Sequence, residues 1–254
     1  MSRNVVESYY SGRYVEPVIP KGYRYAYGKW NEGFVIERIS DGSLFTFVPA
    51  GILKDNGTFD GIKFNQRFGR RKWYGEDEKL GEEPIKQEIW NQFHSVREYG
   101  GFYISTYQIS RSIFARPQSL EGKKPWTYVD FYCAKEIAEH FEESFAIRSH
   151  LVYGAEYDTM LQWLYETEAM SLEDLTVLDG TENGKPFSAN NIFDIAGTTS
   201  EWTQEKVNSR HMMSVIRGGT NVTPRGRKPI ADRTSCAIYR KDPYIGFRVA
   251  LYIP

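Results

Sequence analysis

Two stretches near the end of this 254-residue chain constrain its fold more than anything before them. The first is Asn191-Ile192-Phe193-Asp194-Ile195-Ala196-Gly197-Thr198-Thr199-Ser200-Glu201-Trp202, where oxygen-bearing side chains and a glycine crowd ahead of a tryptophan. The second opens on Val215-Ile216-Arg217-Gly218-Gly219-Thr220 and closes on Gly246-Phe247-Arg248-Val249-Ala250-Leu251-Tyr252-Ile253. In the closing run Phe247, Val249, Leu251 and Ile253 alternate with Arg248, Ala250 and Tyr252. A period of two predicts a strand with one set on each face.

Upstream, Phe34-Val35-Ile36 and Leu44-Phe45-Thr46-Phe47-Val48 flank Ser40-Asp41-Gly42, a hairpin signal. Residues 63–88 are strongly charged and read as a surface excursion. Ile89, Trp90, Phe93 and Val96 have helical spacing, and the run from Gly100 to Ser110 reads as a strand. Ala134, Ile137, Ala138 and Phe141 mark one helix, which Asp130 or Thr127 would cap. Ala155, Met160, Leu161 and Leu164 mark another. Beyond Gly180 the chain reads as loop-rich.

In this order, the blocks at 102–110, 125–134, 151–158, 191–202, 215–220 and 246–253 resemble the formylglycine-generating-enzyme-like, or sulfatase-modifying-factor, family. The resemblance implies an α+β fold of the C-type-lectin type, with twisted antiparallel sheets, two main helices and much irregular loop. It covers residues 25–254 and leaves 1–24 as an N-terminal arm or linker. In the family, the turn matching 194–202 commonly binds calcium. Asp194 and Glu201 would then give carboxylates, and Gly197 and Thr199 backbone carbonyls, since hard oxygen ligands suit Ca²⁺. The alternative is that Asp194 and Glu201 only satisfy backbone donors while Trp202 packs in the core.

Active members of the family carry two copper-binding cysteines shortly after the Gly-Gly turn. Here the matching positions are Thr223 and Lys228, which cannot serve as thiolates, so no copper is expected. The two cysteines present, Cys133 and Cys236, read as small hydrophobes rather than a disulfide framework. His94, His140, His150 and His211 offer no i, i+4 ligand pair.

Residues 220–245 depart from the family between family-like flanks. They resemble the ligand-binding face of the non-catalytic branch found in phages and diversity-generating retroelements. Asn221, Thr223, Arg225, Arg227, Lys228, Tyr239, Arg240 and Tyr244 are the candidate ligand-binding residues. Arginine forks pair with carboxylates or phosphates and tyrosines offer flat faces, so the expected partner is an anionic surface protein or glycan. Within the stretch Arg225, Arg227, Lys228, Arg233, Arg240 and Lys241 are opposed by Asp232 and Asp242 alone. Arg217 and Arg248 flank the turns and are expected to be structural.

A net charge of -1 argues against nucleic acid as the ligand. The opening residues have no secretory-leader pattern and no stretch is apolar enough to span a membrane. The expectation is a protein made in the cytoplasm without a signal peptide, displayed on a phage particle in the phage setting. Function is expected to be non-catalytic ligand or receptor binding through the 220–245 face. The alternatives are a structural virion or tail component joined to copies or neighbours through residues 1–22, and an oxidase of the family type, disfavoured by the missing cysteines.

Overall fold

The computed structural model describes residues 17–30, 32–53, 59–61, 87–142, 144–176, 187–197, 199–207, 212–218 and 230–254. Its principal sheet has six strands: β1 (Tyr23–Tyr27), β2 (Val35–Arg38), β3 (Leu44–Pro49), β6 (Gly101–Ser105), β16 (Val249–Tyr252) and β9 (Arg148–Leu151), side by side in that order. Every pairing in it is antiparallel. The last strand therefore lies between β6 and β9, so the chain closes its sheet from the inside.

The period of two sorts side chains between two cores. Phe45 and Phe47 of β3, Tyr103 of β6, and Val249 and Leu251 of β16 enter one core. Val48, Phe102, Ile104 and Ala250 of the same strands enter the other. Both faces are covered, as happens when helices or a second sheet pack on each side. Helix α2 (Phe131–Glu139) lays Phe131, Ala134 and Ala138 on the first core; α3 (Gly154–Glu166) lays Tyr157, Met160, Leu161 and Leu164 on the second. Fully burying a side chain of this size contributes roughly 1.5–3 kcal/mol. Asp130 caps α2, its Oδ1 accepting from the Cys133 backbone N–H at 2.9 Å.

A second sheet has the order β14 (Thr234–Ala237), β13 (Met213–Arg217), β12 (Ser200–Lys206) and β15 (Ile245–Phe247), with β15 parallel to β12. Trp202 of β12 is fully buried and its indole N–H donates to the Val129 carbonyl at 3.1 Å. Three two-stranded ladders complete the sheets: β4 (Gly51–Leu53) with β5 (Phe59–Gly61), β7 (Ser110–Arg111) with β8 (Pro117–Gln118), and β10 (Phe187–Ala189) with β11 (Ile192–Ala196).

Several expectations are corrected. The stretch expected to be loop-rich carries strands from Phe187 onward among the described residues. In β12 the buried polar side chains of Thr203, Gln204 and Glu205 hide the strand from hydrophobic patterning. Asn190 and Asn191, both at positive φ, make the two-residue turn between β10 and β11. The run to Ser110 does not stay in one strand: β6 stops at Ser105, because the Ser105 and Thr106 carbonyls serve Arg248. The closing run is likewise two strands, meeting at Arg248, with different partners. Beside the two expected main helices stand α1 (Gln87–Tyr99), at the stretch with helical spacing, and a short α4 (Leu172–Thr176). Strand β1 begins at Tyr23, and Tyr103 donates its hydroxyl to the Val18 carbonyl at 2.9 Å. Among the described residues no helix is long and apolar enough to cross a membrane.

Candidate ligand-binding face

The face rests on a buried cluster of four charged side chains. Arg217, at the end of β13, donates to Asp158 Oδ1 at 2.9 Å and lies 3.5 Å from Glu205 Oε2. Arg233, just before β14, reaches both Asp158 oxygens at 2.5 and 2.6 Å and donates to Glu205 Oε1 at 3.1 Å. All four side chains are 4% exposed or less. Two guanidinium forks facing two carboxylates offset the cost of burying the charges, so removing one member strands the rest. The Arg217 guanidinium also lies over the Tyr157 ring, 4.6 Å from its centre.

Gly218 follows Arg217 at a φ of +89°. A Cβ there would sit 2.9 Å from the Ile195 carbonyl oxygen and 3.1 Å from the Tyr157 hydroxyl. Glycine is required both by the backbone region and by the space. Tyr157 is buried, and its hydroxyl holds its proton far above the usual tyrosine range because burial, with Glu201 adding, disfavours the phenolate.

At the turn expected to hold calcium, a buried guanidinium pairs with Glu201. Arg248 donates to Glu201 Oε1 at 2.8 Å and to the carbonyls of Ser105 and Thr106 at 2.9 and 3.0 Å, and also to that of Phe193. Its guanidinium thus sits among oxygens of the kind a cation would claim. The Gln108 amide approaches the carbonyls of Asp194 and Thr199 at 3.4 and 3.3 Å, and the Thr199 hydroxyl donates to Gln108 Oε1 at 2.5 Å. Asp194 is half-buried at a φ of +58°, and Gly197 is buried. No group of three His, Cys, Asp or Glu side chains able to hold a metal occurs among the described residues. Of the expected calcium set of Asp194, Gly197, Thr199 and Glu201, Glu201 has a buried positive charge beside it, that of Arg248. Burial raises the Glu201 carboxyl above its ordinary range, against the opposing pull of Arg248 and Gln108.

The chain aligns with the solved structure titled "Structure of PvdO from Pseudomonas aeruginosa" over 87% of its own length and 98% of that chain, at a TM-score of 0.50 and 16% identity. The fold is that of the formylglycine-generating enzymes, a variant of the C-type lectin fold. Two further structures align less closely. Treponema denticola variable protein 1 does so at a TM-score of 0.42 and 12% identity, over 84% of this chain and 97% of its own. CarF does so at 0.38 and 15%, over 70% and 94%. No family model matches the chain, and no curated protein does. A formylglycine-generating-enzyme fold shared at this identity supplies a frame; chemistry depends on particular side chains.

On that frame Tyr239 is 68% exposed, directly after the buried Ile238. Arg240 pairs with Asp242 at 2.5 Å, whose other oxygen accepts from the Tyr244 backbone N–H at 2.9 Å. Lys241 lies 3.7 Å from Asp130 at the start of α2. Asn221, Thr223, Arg225, Arg227 and Lys228 lie outside the described residues. Asp158, Glu205 and Asp130, distant in sequence, pair with Arg233 and Lys241, and Arg233 is internal. Cys236 is buried in β14 and Cys133 half-buried on α2, and neither is in a disulfide.

Sequence reading missed Glu205 altogether and took Asp158 only as part of a family block. Glu205 follows Glu201 and Thr203 at spacings of two, a weak signal that a register shift in β12 between Trp202 and Lys206 weakens further. A buried second carboxylate site also went unread: Glu156 accepts from Gln92, lies 2.8 Å from His150 Nε2, and accepts from the Tyr153 backbone N–H at 2.8 Å, which ties α1, β9 and α3 together.

Proposed function

We propose that this protein is a non-catalytic binding protein that presents residues 220–245 to a surface ligand. The observation that carries the reading is the pairing of both Arg217 and Arg233 with Asp158. The segment between them starts and finishes on a fixed, buried charge cluster. Near its far end Ile230 and Ala231 enter the second core, so the segment is held at both ends on a rigid frame of the kind that carries binding loops. Exposed Tyr239 and the partly exposed Arg240 add the residue types that dominate binding energy at interfaces. The absence of a thiolate at Thr223 and Lys228 supports binding over copper oxidation, and Cys236 is sealed inside the second sheet.

The test is binding of labelled protein to intact bacterial cells and to a panel of anionic and neutral glycans. It is run beside the quadruple variant T223A/R225A/R227A/Y239A. Binding by the native chain and loss in the variant is the expected result. Undiminished binding in the variant overturns the assignment of the face, and copper-dependent conversion of a peptide cysteine to an aldehyde overturns the non-catalytic reading.

A further inference from the structure

A second element borders the proposed face and contributes nothing to either core. The β7–β8 hairpin carries Ile113 and Phe114 at its tip, 93% and 79% exposed. Solvent contact of this degree for two adjacent large apolar side chains gives the folded monomer no burial energy.

Hydrogen bonds join this hairpin to the face. Ser110 bridges to Pro125, and the Trp126 backbone N–H donates to the Ile109 carbonyl at 2.7 Å. The Arg111 guanidinium lies over the Trp126 ring, 5.2 Å from its centre. Two residues on, the Tyr128 N–H donates to the Asp242 carbonyl at 3.1 Å, and the Phe131 N–H donates to the Ile238 carbonyl at 3.0 Å. Tyr128, Tyr132 and Tyr239 are each more than 60% exposed. These links give one surface running from the hairpin tip to Tyr239.

Tyr128 also has a φ of +59°. A bulky residue in the left-handed region is an outlier that a glycine would relieve, and such strain gathers at functional positions. The exposed ring supplies no packing to explain why tyrosine stands there.

We infer that this surface, from Phe114 through Trp126, Tyr128 and Tyr132 to Tyr239, docks an acidic protein segment bearing an apolar anchor. The inference rests on the proposed binding function and extends its site to the 110–132 region. Exposed Arg111, Arg116, Lys123 and Lys124 border the surface against exposed Glu121 and Glu136, so its charge complements an acid-rich partner. Rigid tyrosines, a tryptophan and an arginine are the side chains that carry protein interfaces. The bare Ile113–Phe114 tip needs an apolar side chain laid against it, which a protein segment offers and a polysaccharide does not.

The experiment selects random dodecapeptides on the native chain and measures the winners, resynthesised, by fluorescence polarisation against Y128G, Y132A, F114S and Y239A/R240A. The expected winners place Asp or Glu around a Trp, Phe or Leu. Y128G, Y132A and F114S each weaken them about tenfold or more, while Y128G melts no lower than the native chain. Winners lacking acidic residues, or winners that bind Y128G, Y132A and F114S as well as the native chain, overturn the inference. If such winners are lost only in Y239A/R240A, the C-terminal face stands and its extension falls. Failure to select peptides, with hairpin-dependent binding to phosphatidylglycerol vesicles instead, also overturns it and leaves the cell-binding test to judge the broader function.

Discussion

Arg217 and Arg233 close on one carboxylate, that of Asp158 in α3, and so fasten both ends of the intervening segment to the same buried point. The second core, the second sheet and the proposed face meet there. Asp158→Asn leaves two guanidiniums inside with half their neutralising charge. A loss of about 3–5 kcal/mol is expected, read as a lower urea midpoint with an unchanged slope. A loss below about 1 kcal/mol would show that the cluster does not hold the frame.

Gly218 tests the same junction through the backbone. Gly218→Ala forces a left-handed φ on alanine and drives its Cβ against the Ile195 carbonyl and the Tyr157 hydroxyl. The expected cost is roughly 1–3 kcal/mol, visible as a depressed melting temperature. Melting at the native temperature would mean that the turn relaxes freely.

Arg248 is expected to do in this chain what a bound cation would do. Arg248→Ala strands buried Glu201 and should cost about 3–5 kcal/mol. Calorimetry with millimolar calcium or with chelator should give one melting temperature for the native protein. A calcium-dependent rise would show that the turn at 194–201 binds the ion after all.

The β2–β3 hairpin gives a pH prediction. Asp41 accepts from Arg38 Nε at 2.9 Å and from the backbone N–H of Ser43 at 3.1 Å. Burial pushes the carboxyl up, but Arg38 and Ser43 outweigh it, and the net shift is downward. A carboxyl lowered in the folded state adds stability above its unfolded value of about 3.9, and that stability is lost as pH falls through the folded value. Asp41→Asn should flatten the acid limb of the stability profile and cost about 1–3 kcal/mol at neutral pH. An unchanged acid limb would remove Asp41 from the account.

Much of the frame was readable without coordinates. The hairpin at Ser40-Asp41-Gly42, the stripes of α2 and α3 and the Asp130 cap are local features, written in spacings of two to four residues. Strand β12 was not readable, because it buries threonine, glutamine and glutamate, whose partners lie elsewhere in the chain. Tyr128 gave no signal, since nothing in its neighbours announces a positive φ.

The sequence by itself determined the hairpin at Ser40-Asp41-Gly42, the helical stripes and the closing strand pattern, which follow from periodicity, while the class of fold and the lack of copper-binding thiolates were implied by the resemblance of its later blocks to a known family. Only the tertiary structure decided which charges are internal. It paired Arg233 with Asp158 and Glu205, paired Arg248 with Glu201, and joined the 110–132 surface to Tyr239. A charge becomes structural or available according to the partner that desolvation forces on it, and that partner is fixed by packing between residues far apart in the chain.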